Sequence, residues 1–286
     1  MAALVVDAHH HFWDPARFDY PWLTEELGVI RRRFGPEDLA PLVKRAGIDR
    51  TILVQSISSV DETREFLATA AATPFIAGVV GWVDLTDAAV GATIAALAEG
   101  EGGSRLVGMR HQVHDEPDPA WLLRADVDRG IAAVGAAGLV YDLLVRPREL
   151  PAALATVRAH PDVAFVIDHL AKPPIRSGEL EPWLSLLRPF GALDNVACKA
   201  SGLVTEADWA NWRVADLQPF VDAAIEIFGP DRLMFGSDWP VCLLAGSYPD
   251  VLDATRTVLA ELSAAEHSAV FGRTAIEVYR LAVDSQ

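Results

Sequence analysis

Cysteine is scarce in this chain: its 286 residues hold only Cys198 and Cys242. Two thiols make no disulfide framework, and both sit in apolar runs, so buried free thiols in a reducing cytoplasm are expected. Positive charge is also in short supply, with 24 Lys and Arg against 40 Asp and Glu, a formal charge of −16. An acidic surface disfavours a nucleic-acid backbone or an anionic membrane as partner. It also steers poorly for a strongly anionic substrate. No apolar run approaches the roughly 18 residues of a membrane span. The N-terminal MAALVVDAHH lacks the basic-then-apolar order of a signal peptide. Internal repeats, low-complexity tracts and an evident linker are missing too.

What the chain does have is apolar residues, 51% of the total, enough for a large core. They recur in short β-branched runs: LVVDAHHHF (4–12), RTILVQS (50–56), FIAGVVGWVD (75–84), RLVGMRHQV (105–113), GLVYDLLV (138–145), VAFVIDHLA (163–171), NVACKASGL (195–203) and RLMFGSDWPV (232–241). Segments with helical spacing lie between them, such as PEDLAPLVKRAG and LQPFVDAAIEIFG, several ending in glycine, the cheapest left-handed cap. Eight strands alternating with helices predict an α/β fold, a single (β/α)8 barrel occupying residues 1–286. The competing doubly wound sheet lacks its glycine-rich fingerprint after the first strand. The stretch between strands 1 and 2, rich in Pro, Trp and Arg, is read as an extended active-site loop.

Barrels of this kind place chemistry at the C-terminal ends of their strands. Ionisable residues collect there: His9, His10 and His11 on strand 1, Arg110 and His111 on strand 4, Asp142 on strand 5, Asp168 and His169 on strand 6, Lys199 on strand 7 and Asp238 on strand 8. Burying an unpaired charge is costly, so this many is hard to explain as packing. Alternation along strand 1 groups Val5, Asp7, His9 and His11 on one face and Leu4, Val6, Ala8, His10 and Phe12 on the other. The second set is nearly all apolar and is assigned to the helix layer. The first is assigned to the pocket, which makes His9 and His11 an inward pair and His10 a structural residue. Two neutral imidazoles so spaced can chelate one cation, and a histidine after strand 6 with an aspartate after strand 8 completes a much more specific set.

This constellation resembles the amidohydrolase superfamily, amidohydrolase 2 type. DAHHHFWDPARFDYPWL, DHLAKPPI, CKASGLVTEADW and LMFGSDWPVC resemble its lactonase branch, and matching blocks run from residue 7 to the C-terminal VFGRTAIEVYRL. The resemblance implies a (β/α)8 barrel that hydrolyses lactones, of sugar acids such as L-fuconolactone. By position it implies a metal set of His9, His11, His169 and Asp238; the chemistry of lactone hydrolysis then makes Asp238 the candidate general base, with His169 and Arg110 as the other catalytic residues. His111, matched by position, is assigned to substrate binding. Trp82 and Lys199 join it from the chemistry of their side chains alone. Lys199 is read either as a proton donor to the leaving alkoxide or as the partner of a carboxylate such as Asp168. Strand 4 has no lysine and strand 5 no histidine, which disfavours a two-metal centre. One divalent ion, zinc on this donor set, fits the pattern. So does catalysis without a metal. Alternatives are amide hydrolysis or decarboxylation on the same barrel, or non-catalytic binding of a sugar acid. The expected partner is a small-molecule lactone, not nucleic acid or membrane, and a homo-oligomer is left open.

Overall fold

The computed structural model describes residues 4–282. Eight strands run in chain order, each parallel to the next: β1 (Val6–His10), β2 (Arg50–Val54), β3 (Ile76–Gly81), β4 (Leu106–His111), β5 (Val140–Leu143), β6 (Phe165–Ile167), β7 (Val196–Ala200) and β8 (Leu233–Phe235). The ring closes just beyond β8, where His11 N–H donates to the Trp239 carbonyl at 2.7 Å and Asp238 N–H to the His9 carbonyl at 2.8 Å. Helices fill the crossovers: α1 (Pro36–Ala46), α2 (Val60–Ala72), α3 (Val90–Glu99), α4 (Ala125–Ala136), α5 (Leu150–Ala159), α6 (Trp183–Leu187), α7 (Val214–Phe228) and α8 (Tyr248–Val258). Two short helices follow, α9 (Ala264–Ser268) and α10 (Thr274–Val278). This is the (β/α)8 barrel expected, and no helix among the described residues is long and apolar enough to cross a membrane.

Local chemistry sets the helix ends. Helix α1 starts with Pro36, whose missing N–H costs nothing in the first turn, and stops at Gly47 with φ 70°. Ser59 caps α2 by accepting from Glu62 N–H, and Ser247 caps α8 in the same way. Apolar side chains pack in two zones. A large cluster lies between the strands and the helices. A smaller one fills the lower bore, where Val6, Ala8, Ile52, Val166 and Met234 meet Ala275, Tyr279 and Leu281 from the C-terminal segment.

That inner cluster corrects the expected phase of β1. Val6 and Ala8 point into the bore, not at the helices. Asp7 points outward, accepting from Tyr248 Oη of α8 at 2.9 Å and from Ser237 N–H at 2.8 Å. The pairing Val6↔Arg50, Asp7↔Thr51, His10↔Leu53 shows why: β1 advances three residues while β2 advances two. This bulge inverts the alternation, so His9 and His11 face inward although the start of the strand has the opposite phase. His10 faces the helix layer as expected, bonded to Thr51 Oγ1 at 2.8 Å with its ring 4.9 Å from Phe12.

Candidate active site

Above the apolar plug the bore becomes charged. Lys199 Nζ lies 2.6 Å from Asp142 Oδ2 and 3.0 Å from Asp168 Oδ1. Asp168 Oδ2 accepts from Arg110 at 3.0 Å, and its Oδ1 sits 3.3 Å from His9 Nδ1. Burial works to raise the Asp168 pKa, but Lys199, His9 and Arg110 outweigh it and hold the carboxyl well below its usual value. Arg110 also donates to the Gln55 carbonyl.

The next layer opens to the cavity. His9 Nε2 and His11 Nε2 are 3.1 Å apart, with Asp238 Oδ1 3.8 Å from the first and 3.4 Å from the second. His169 Nε2 is 4.0 Å from the same oxygen. Second partners orient each ring. His11 Nδ1 faces the Val54 carbonyl at 2.8 Å, and a carbonyl only accepts, so the proton is on Nδ1. His9 Nδ1 lies 3.3 Å from both Asp168 Oδ1 and Lys199 Nζ. His169 Nδ1 bonds Ser201 Oγ at 2.8 Å. Burial drives His9 well below its usual pKa and His169 down to about 3, so both rings are neutral. Burial would raise Asp238, but His169 and His11 more than compensate and it remains a carboxylate.

The Nε2 atoms of His9 and His11 and a carboxylate oxygen therefore converge, with Arg110 Nη1 beside His9 Nε2 at 3.3 Å. Such an acceptor cluster suits either a cation or a water that donates both of its hydrogens. Ligands at about 2.0–2.1 Å in a tetrahedral zinc site lie about 3.4 Å apart. Separations of 3.1 and 3.4 Å fit that geometry, and His9, His11 and Asp238 form one compact group of candidate ligands. Asp168, behind His9, is the outer partner such a ligand needs.

Backbone strain places two of these groups. His169, Leu170, Ala171 and Lys172 all have φ between 51° and 59°, and Asp238 has φ 55°. Left-handed non-glycine residues cost about 1–2 kcal/mol each, and such strain gathers at functional sites. Strand β6 therefore ends at Ile167, short of the run expected to reach 171, and the turn carries both His169 and Lys172 to the cavity. Two glycines make room. A Cβ on Gly202, itself at φ 63°, would sit 2.6 Å from His169 Nδ1, and one on Gly236 2.6 Å from His9 Cβ.

The cavity encloses about 300 Å³, lined by His11, His169, Asp238 and Arg110 at its base and by Trp13, Trp22, Gln112, His114, Asp115, Arg146 and Lys172 higher up. Of the residues expected at the site, His11, His169, Asp238 and Arg110 line it, and His9 lies directly beneath. Three expected substrate contacts are corrected. Lys199 is fully buried under the site between two carboxylates and does not line the cavity. His111 follows the inward Arg110 and so points out of the bore, stacked on Trp121 at 4.3 Å with Nε2 on Glu116. Trp82 donates to His111 Nδ1 at 2.9 Å and is tied to that same outer cluster. The tryptophans that line the cavity are Trp13 and Trp22, anchored through their N–H groups to the carbonyls of Ile30 and Ser56. His114 and Asp115, from the loop after β4, also line it.

The amidohydrolase family model matches residues 6–281. The chain belongs to the amidohydrolase family. It is 42% identical to an L-fucono-1,5-lactonase from Burkholderia multivorans, over 98% of this chain and 97% of that protein. A second L-fucono-1,5-lactonase, from Burkholderia ambifaria, is 44% identical over 86% of this chain and 83% of the relative. A crystal structure of a Burkholderia multivorans amidohydrolase with bound zinc superposes with a TM-score of 0.91 at 43% identity, covering 98% of this chain and all of that one. In this chain neither β4 nor β5 supplies a further ligand: Arg110 and Asp142 stand there, each in an ion pair.

Proposed function

We propose that this amidohydrolase opens the ester bond of a sugar-acid lactone of the L-fuconolactone type by attack of a water molecule. The observation carrying this reading is Asp238, an ionised carboxylate at the cavity base, 3.4 Å from the lone pair of His11 Nε2. A water there gives one hydrogen toward Asp238 Oδ1 and the other toward a histidine Nε2, so its own lone pair is free for the lactone carbonyl carbon. Asp238 takes the proton as the C–O bond forms. The Arg110 guanidinium, at the cavity wall, faces the carbonyl oxygen and stabilises its developing charge. When the ring C–O bond breaks, the proton on Asp238 passes to the leaving alkoxide, and the new carboxylic acid loses the water's second proton to solvent and leaves as the anion. Zinc held by His9, His11, Asp238 and His169 would lower the water's pKa and polarise the carbonyl. Trp13 and Trp22 offer apolar faces to the sugar ring. Lys172, paired with Glu206 at 2.6 Å, and Arg146, with no ion-pair partner among the described residues, suit hydroxyl groups and the product carboxylate.

The test is a panel of L-fucono-, L-galactono- and L-rhamnono-lactones, with acid release followed by a pH indicator. Release well above the spontaneous rate is expected for at least one. A panel with no release, together with turnover of an amide or decarboxylation of a small acid, would overturn the reading. A repeat after chelation measures how much of the rate depends on the metal.

A further inference from the structure

The cavity above the reacting layer has two unlike walls. Strand order puts the loops after β8 and β1 side by side, and the loops after β4, β5 and β6 across the ring from them. The first wall is apolar. Val241 and Leu244 come from the turn after β8, Leu27 and Ile30 from the long loop after β1, and the two segments pack on each other. Trp13 joins them, its indole N–H engaged by the Ile30 carbonyl at 3.1 Å. None of these side chains has a donor or acceptor left for a ligand. The opposite wall holds Asp115 after β4, Arg146 after β5 and Lys172 after β6, with Leu144 as the apolar exception. Arg148 donates to the carbonyls of His114 and Glu116, at 3.3 and 2.6 Å, which locks the Asp115 loop to the next one. The His114 hydrogen bond and the charges of Arg146 and Lys172 hold the Asp115 carboxyl below its usual pKa. It is therefore an ionised acceptor flanked by donors.

A six-membered sugar lactone is two-sided in the same way. One neighbour of its carbonyl carbon is a hydroxyl-bearing carbon, and the next carbon carries a hydroxyl as well. The other neighbour is the ring oxygen. The carbon beyond that oxygen carries the terminal group, a methyl in L-fuconolactone and a hydroxymethyl in L-galactonolactone. We propose that the lactone lies with its ring-oxygen edge against Leu27, Ile30, Val241 and Leu244 and its hydroxyl edge against the Asp115 wall, so that the apolar wall selects a terminal methyl over a hydroxymethyl. Asp238 agrees with this orientation. It follows β8, on the apolar side of the cavity base, so the ring oxygen lies next to the carboxyl that returns the proton to it. The reverse orientation would press hydroxyls onto side chains that cannot bond them, leaving polar groups unpaired away from water, and would set a methyl among three charges. The proposal rests on the lactone reading and adds to it the choice among sugar lactones.

The experiment compares kcat/KM for the freshly prepared six-membered lactones of L-fuconate and L-galactonate, which differ by one hydroxyl on the terminal carbon. The parent protein is expected to favour the first about 10–100-fold, the discrimination an apolar pocket achieves against an added hydroxyl. Leu244→Asn puts an amide at a half-buried position of the apolar wall and is expected to shrink that preference about tenfold. Asp115→Ala is expected to raise KM about tenfold for both lactones, the lower end for a hydrogen bond to a charged group, without moving their ratio. Equal kcat/KM for the two lactones in the parent overturns the proposal, and hydrolysis of L-fuconolactone then still upholds the lactone reading. A preference that Leu244→Asn leaves unchanged, or that Asp115→Ala shifts as far, overturns the proposal in the same way. If Leu244→Asn does not fold, the near-isosteric Val241→Thr takes its place. Hydrolysis of neither lactone by the parent overturns the lactone reading and this proposal with it.

Discussion

The two halves of the barrel bore are built on opposite terms. The lower half is sealed by Val6, Ala8, Val166, Met234 and the C-terminal Leu281. Each of these side chains larger than alanine contributes about 1.5–3 kcal/mol by leaving water. The upper half buries Asp142, Asp168, Lys199, Arg110 and three histidines in the same cylinder, where each charge is tolerated only through its partners. The lower half therefore holds the fold while the upper half holds a geometry. Asp238 and Val166 test that division most directly. Asp238→Asn is expected to lower kcat about 10²–10⁴-fold, the span of general-base contributions, with little change in Tm. Val166→Ala is expected to cost about 2 kcal/mol of stability with kcat nearly intact. Paired thermal melts and lactone assays measure both. Loss of stability in the first variant and of activity in the second would erase the distinction.

The next effect in size concerns the acceptor cluster itself. After dialysis against a chelator, the protein is expected to bind one zinc per chain. His9→Gln and His11→Gln are each expected to bind it about 10–100-fold more weakly or worse, the scale already seen when only an outer partner is lost. Competition with a chromophoric chelator reads this without reference to activity. Equal zinc affinity in the parent and both variants would mean that the cluster is shaped for water alone.

The contrast between the halves also explains what the amino-acid order reveals. Eight β-branched runs separated by amphipathic segments are enough for the barrel, because period and order are local properties. Polar residues at strand ends disclose His9, His11, His169, Arg110 and Asp238, since a charge inside an apolar run has few other reasons to be there. Strand 1 is more instructive. Strict alternation reaches the right pair from the wrong phase, because a bulge depends on the register with β2 and leaves no local mark. The cavity wall is the least legible part. Trp13, Trp22, Arg146 and Lys172 come from four loop positions whose convergence is tertiary. His111 looked functional because it adjoins Arg110, yet one step along a strand turns a side chain to the other face. Glycine carried an unread signal: Gly202 and Gly236 follow β7 and β8 just where a Cβ would strike His169 or His9.

The smallest expected effect lies on the boundary between the cavity and its scaffold. Glu62, on α2, is fully buried and accepts from the backbone N–H groups of Ser56 and Ile57, holding the loop after β2 against the cavity. Burial pushes its pKa from 4.5 to about 7, against the pull of the Ser56 and Ile57 hydrogen bonds and of Arg110. Glu62 thus holds its proton more tightly folded than unfolded. Its stabilising contribution is fully present below pH 4.5 and is lost as pH rises through about 7. The full swing is at most about 3 kcal/mol. Glu62→Gln mimics the protonated form, with Oε1 accepting both N–H groups and Nε2 donating to Ser56 Oγ. The difference in Tm between variant and parent is therefore expected to rise by several degrees in the variant's favour from pH 4.5 to pH 8, and to flatten above that. A difference independent of pH would show that Glu62 is ionised throughout and belongs, energetically, with the charged half of the bore.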